Sequence, residues 1–149
     1  MVKIFKYLFL FFVLSVLGGC SHISESTKIV LGTSTKKLEE ARVEAISKKF
    51  NCGFEDCYEA VLSLARNEKK IDPVSGDKVY DIFMKDWVKS RIVVMGITGN
   101  VNTTEVGIFF SKAGESSTKV EVSSLSSSAK RKVAEAVFAE LSMRFYEAP

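Results

Sequence analysis

Residues 91–123 read RIVVMGITGNVNTTEVGIFFSKAGESSTKVEVS, and the fold is decided in this stretch. Arg91 to Thr98 is a continuous β-branched run, consistent with a central strand. Thr104 to Ser111 places Val106, Ile108 and Phe110 on one side. Thr118 to Ser123 alternates cleanly, with Val120 and Val122 on one side and Lys119 and Glu121 on the other. Gly99-Asn100-Val101-Asn102 supplies turn residues, and Lys112 to Ser117 is a short Gly- and Ser-containing link. Gly96 and Gly99 stand alone and read as a bulge and a turn. Short polar links between successive strands imply antiparallel pairing, hence a meander.

Downstream, Ser126-Ser127-Ser128 offers helix caps. Val133, Val137, Leu141 and Phe145 then recur every four residues, with Ala134 and Phe138 alongside. That stripe is expected to cover the sheet face carrying Val106, Ile108, Phe110, Val120 and Val122. The opposite face carries Glu105, Gly107, Phe109, Lys119, Glu121 and Ser123. It is mixed, and is expected to be open to solvent or to meet a partner.

Upstream, Lys78 to Met84 (KVYDIFM) is a further strand candidate. Asp72-Pro73-Val74-Ser75-Gly76-Asp77 before it reads as a turn and lacks the residue order of a calcium-binding EF-hand loop. Phe54, Cys57, Tyr58, Val61, Leu62 and Ala65 follow helical spacing over three turns. A first helix is predicted from Lys36 to about Phe50, with Val43, Ile46 and Phe50 on one stripe and Leu38, Ala41 and Ala45 beside it. The predicted order is α-α-β-β-β-β-α. This is an α+β two-layer sandwich, with about four strands covered on one face by helices.

The N-terminus fixes an address. Lys3 and Lys6 precede an apolar run from Tyr7 to Leu17, broken only by Ser15, and Leu17-Gly18-Gly19-Cys20 follows. Eleven residues are too few for a membrane-spanning helix, which takes about 20. The pattern is that of a secretory signal peptide, and its end resembles the lipobox of bacterial lipoproteins. The resemblance implies cleavage before Cys20, whose thiolate accepts a thioether-linked diacylglycerol. Two or more acyl chains give stable anchoring. Ser21, where an Asp would signal inner-membrane retention, implies the outer membrane, facing the periplasm. Small envelope lipoproteins with helix-grip-like or TBP-like domains share the predicted order of elements.

On this reading residues 1–19 are the leader, 20–35 a lipidated cysteine with a Ser/Thr-rich tether, and 36–149 one domain. The tether carries one apolar patch, Ile29-Val30-Leu31, able to dock as a short strand or touch a partner. Lys3 and Lys6 are two of the 21 basic residues, so 19 basic side chains face 18 acidic ones beyond the leader. This near-neutral balance gives no reason to expect a nucleic-acid partner.

With Cys20 lipidated, Cys52 and Cys57 remain. An exported pair reads as a disulfide rather than as free or redox-active thiols. Residues five apart on one helix point about 140° apart, so a bridge requires the helix to begin after Cys52, with Gly53 allowing the bend. Closing so small a loop stabilises by only about 2 kcal/mol. A zinc site would need about four ligands, and the only histidine, His22, lies in the tether.

No downstream pattern names a reaction. His22 in the tether cannot serve a Ser-His-Asp triad or a Cys-His pair. No H-E-x-x-H, P-loop or G-x-G-x-x-G occurs, so no metal or cofactor is expected. Asp72, Asp77, Asp81, Asp86 and Glu105 are the carboxylates a glycan hydrolase would have to pair, and each reads more simply as a surface or turn acid. Tyr80, Phe83, Trp87 and Phe109 read as strand packing, or as a platform for a sugar, peptide or protein. The expected function is a non-enzymatic envelope lipoprotein that binds an envelope protein or component. An assembly subunit of an outer-membrane complex and a small glycan hydrolase are the alternatives.

Overall fold

The computed structural model describes residues 34–66 and 80–148. The predicted leader, Cys20, the predicted tether as far as residue 33, with His22 and Ile29-Val30-Leu31, and the turn predicted at 72–77 lie outside the described residues, while residues 34 and 35, read as tether, are already helical. Within the unit Lys37–Pro149, the elements combine into an α+β fold with helices packed on a five-stranded antiparallel sheet.

Residues 34–40 are helical (α1) and tighten into a 3-10 turn at Ala41–Glu44. Then come β1 (Ile46–Phe50), α2 (Phe54–Arg66), β2 (Asp81–Asp86), β3 (Arg91–Met95), β4 (Val106–Lys112), β5 (Thr118–Ser123) and α3 (Ser127–Arg144). The spatial order is β1-β5-β4-β3-β2. Strands β2 to β5 form the expected meander, and β1 adds a fifth strand beside β5.

That fifth strand corrects the predicted first helix, which ends early. Ala45 turns extended (φ −66°, ψ 144°) and Ile46 to Phe50 pair with Val122 to Thr118. Five residues with Ile, Lys and Phe at alternate positions fit either periodicity, and pairing with an open sheet edge decides. Val43, expected on a buried stripe, is 93% exposed. The outer edge of β1 is capped at its end by the C-terminal residues. The Asn51 N–H donates to Tyr146 O (2.9 Å) and the Ala148 N–H to Lys49 O (3.0 Å), which shields an otherwise unpaired row of backbone groups.

The main core lies between one sheet face and α2 and α3. Ile92, Val94, Val106, Ile108, Phe110, Val120 and Val122 meet Cys57, Tyr58, Val61 and Leu62 of α2 and Val133, Val137, Phe138 and Leu141 of α3. The face that alternation assigned to the helices is the face they cover. Ser126 caps α3, its Oγ accepting from the Ala129 N–H. Strand β2 runs slightly later than predicted and carries a bulge at Phe83, between Ile82 and Met84. Gly99 adopts φ +79° in the β3–β4 loop, a left-handed conformation that suits glycine.

Candidate functional site

The second sheet face buries two charged side chains, Arg91 and Glu121. Its strands point Val93, Gly107, Phe109, Glu121 and Ser123 away from the helical layer, and Arg91 lies at its edge. A strap formed by residues 37–44 lies across it. Leu38 packs with Val93 and Phe109, with Met84 against them. Ser123 Oγ donates to the Leu38 carbonyl (2.8 Å). Gly107 leaves the space that this packing fills, for a Cβ there would stand 2.6 Å from Phe109 Cε2 and 3.5 Å from Leu38 Cδ1.

Two strap residues meet buried charges. Glu39 accepts from Arg91 Nη1 (2.6 Å), while Arg91 Nη2 reaches Asp86 (3.1 Å). Arg91 is 5% exposed, and its Nε has no partner among the described residues. Arg42 pairs with Glu121, which also accepts from Lys119 Nζ (3.0 Å), and the Arg42 guanidinium lies 4.6 Å from the centre of the Phe109 ring. Burying Leu38 contributes about 2 kcal/mol, and ion pairs with one exposed partner add little. The strap is therefore an element of low local stability.

Burial works against ionising Glu121, but hydrogen bonds from Arg42 and Lys119, together with their charges, outweigh it and hold the carboxyl below the ordinary carboxylate range. The contribution is fully present above the unfolded-state pKa and is lost as pH falls through the lower folded one. The protection of the amides of residues 37–44, taken relative to their intrinsic exchange rates, is thus expected to fall on acidification below the ordinary carboxylate range. Glu121→Gln should flatten that dependence, and an equal response in both proteins would contradict the pairing.

The expectation of an open mixed face is corrected in part. Phe109, Glu121 and Ser123 are buried, because Leu38 and Arg42 of the strap lie over them. Sequence reading missed the strap since its one anchor, Leu38, carries no periodic signal by itself. It also missed Glu140, buried on α3 and bound by Arg144 (2.7 Å), which in turn donates to Ser63 Oγ (2.8 Å). Glu140 follows Val137 by three residues, which places it on the inward face. Tyr80 lies in this region with its hydroxyl buried and unpartnered among the described residues. Burial first, and the Glu140 charge second, push its pKa far up.

Cys52 and Cys57 are buried with their Cα atoms 5.9 Å apart and their sulfurs in bonding contact. Helix α2 begins at Phe54, after Cys52, as a bridge requires. Thr118 Oγ1 donates to the Cys52 carbonyl (2.9 Å), fixing this loop to β5. Thiol alkylation of the unreduced, unfolded protein is expected to leave both cysteines unmodified, and ready modification would count against the staple.

Of the candidate carboxylates, Asp72 and Asp77 lie outside the described residues. Asp81 and Asp86 occupy opposite ends of β2, about 16 Å apart at strand rise, well beyond the roughly 5–9.5 Å a glycosidase pair needs. Asp86 is also engaged by Arg91 and by the Lys89 N–H (3.0 Å). Glu105 stands before β4, and burial raises its pKa. Among the described residues no group of three His, Cys, Asp or Glu could hold a metal, and no helix is long and apolar enough to cross a membrane.

The aromatic residues separate. Phe109 and Tyr80 are buried, while Phe83 and Trp87 are about half exposed. Trp87 packs edge-on against Phe54 (4.7 Å) and Tyr58 (4.9 Å). A shallow groove of about 400 Å³ runs between β1 and α3, floored by Ile46, Ala134 and Phe138 and rimmed by Lys48, Arg131 and Glu135. No family model and no curated protein matches this chain.

Proposed function

We propose that the chain is a lipid-anchored envelope lipoprotein whose α+β domain works by binding an envelope protein or envelope component. The observation that carries this reading is Leu17-Gly18-Gly19-Cys20 after an eleven-residue apolar run. Lipid on Cys20 would hold the domain at the outer membrane, facing the periplasm, where a Cys52–Cys57 disulfide would persist. Sixteen residues separate Cys20 from Lys37, a tether that keeps the domain close to its membrane. Tethering raises the effective concentration of a partner in the same membrane, so a modest interface suffices.

A permanent assembly subunit would call for a contiguous apolar patch on the second sheet face. The strap occupies that face, which favours the reversible binder. Lysine-directed crosslinking in intact cells, followed by mass spectrometry of the purified chain, is expected to trap a discrete envelope partner in the membrane fraction. Recovery of the chain only uncrosslinked and in the soluble fraction would contradict the proposal.

A further inference from the structure

We propose that the outer edge of β1 takes an extended segment of a protein partner as an added strand, in the place that the chain's own C-terminal residues now hold. The inference deepens the binder reading and rests on it.

The structure already carries a strand addition at this edge. Phe50 and Glu147 form an antiparallel bridge. It is flanked by the bonds from the Asn51 N–H to Tyr146 O (2.9 Å) and from the Ala148 N–H to Lys49 O (3.0 Å). Those two bonds set the alternation along β1. Backbone groups at odd positions point outward, and those at even positions point toward β5. Ser47 is the next outward position, and its N–H and C=O have no partner among the described residues. The tail thus covers one end of the edge and leaves the other open, a template for pairing.

The groove of about 400 Å³ between β1 and α3 runs along this same edge. Ile46, Lys48 and Phe50 point to the α3 side, and Glu147 opposite Phe50 does the same. The Glu147 carboxylate accepts from Lys48 Nζ (2.7 Å) and Ser142 Oγ (3.1 Å), both of which line the groove. That seat gives the occupant's chemistry. A strand in the tail's register puts every second side chain into the groove. The first meets Lys48 and Ser142 and should be an acid. The second and third pass over Phe138, Ala134 and Ile46 and should be apolar. Arg131 and Glu135 on the rim offset each other, so charge selects at the first position only.

The tail is held weakly enough to give way. Tyr146 is 87% exposed, and both partners of the Lys48–Glu147 pair are about half exposed, so the pair adds little. A segment bonded to Asn51, Lys49 and Ser47 replaces each backbone bond that the tail makes and adds those of Ser47. The other sheet edge is less suited, because β2 is interrupted by the bulge at Phe83 and no described strand is seated on its outer side. A second copy is the poorer occupant, because pairing β1 with itself would set Lys48 and Lys49 against other lysines.

The probe is a fluorescein-labelled peptide that repeats Tyr146-Glu147-Ala148 and continues Val-Thr-Val-Thr. It is titrated into the full lipoprotein in detergent micelles and followed by anisotropy. N-methylation of its third and fifth residues, whose N–H groups would face β1, should abolish binding. N-methylation of its fourth and sixth, whose N–H groups would face away, should not. Deleting residues 146–149 should tighten binding about tenfold, the competition factor for a tail seated roughly nine-tenths of the time. Ser47→Pro removes an outward N–H of an edge strand and no ladder bond to β5. It should weaken binding about tenfold, as expected for one lost hydrogen bond. No binding, equal binding of the two methylated peptides, or an affinity unchanged by the deletion would overturn the proposal. In cells, crosslinks to the partner should fall on Lys48 and Lys49. Crosslinks confined to Lys85 and Lys89, toward the other edge, would overturn this surface yet leave the binder reading standing. Recovery of the chain only uncrosslinked would contradict both.

Discussion

Cys20→Ser is expected to abolish labelling by a palmitate analogue and to move the chain from the membrane fraction into the soluble fraction. The effect should be nearly all-or-none. Each buried methylene of an acyl chain contributes about 0.8 kcal/mol, and two chains make the difference between marginal and stable anchoring. Cys52→Ser and Cys57→Ser serve as controls, since Cys52 lies in the loop before α2 and Cys57 in its first turn, both buried in the domain. Both variants should keep the label. Persistent labelling of the Cys20→Ser protein would remove the lipid from the account.

Gly107→Val should be the most damaging single change on the second sheet face. The new Cβ would stand 2.6 Å and 2.9 Å from two carbons of the Phe109 ring. That ring is buried, with Arg42 lying over it, so it has little room to move without lifting Leu38 and the strap. Overpacking of this kind costs about 1–3 kcal/mol, which for a domain of this size lowers Tm by on the order of 5–10 °C. Exchange of the strap amides should rise at the same time. An unchanged Tm with a protected strap would show that Phe109 and Leu38 do not close over Gly107.

How much of this was legible in the sequence follows from the length of each signal. Strand alternation in 104–123 and the four-residue recurrence in 133–145 repeat often enough to assign faces, and they placed the main core correctly. The apolar face from Phe54 to Ala65 is equally clear as a helix, and its start after Cys52 follows from the geometry a bridge needs. Ile46 to Phe50 was misread because five residues do not separate period 2 from period 3.6, and only the open edge of β5 tips the balance. The strap was invisible for another reason. Its stability comes from Leu38, Glu39 and Arg42 meeting Phe109, Arg91 and Glu121, partners 52 or more residues away in each ion pair. Buried Glu140 was missed because a charged residue on an apolar stripe reads as a break in the pattern until its partner, Arg144, is placed. The proposed anchor, by contrast, rests on a local motif, and its reading does not depend on the fold.

The central claim is that a lipid on Cys20 holds this domain at the membrane, and intact-mass and peptide mass spectrometry of the chain purified from membranes test it most directly. The account predicts a mature protein whose first residue is Cys20, carrying the mass of a diacylglycerol thioether. A chain that retains Met1, or one cut elsewhere with an unmodified Cys20, would contradict it.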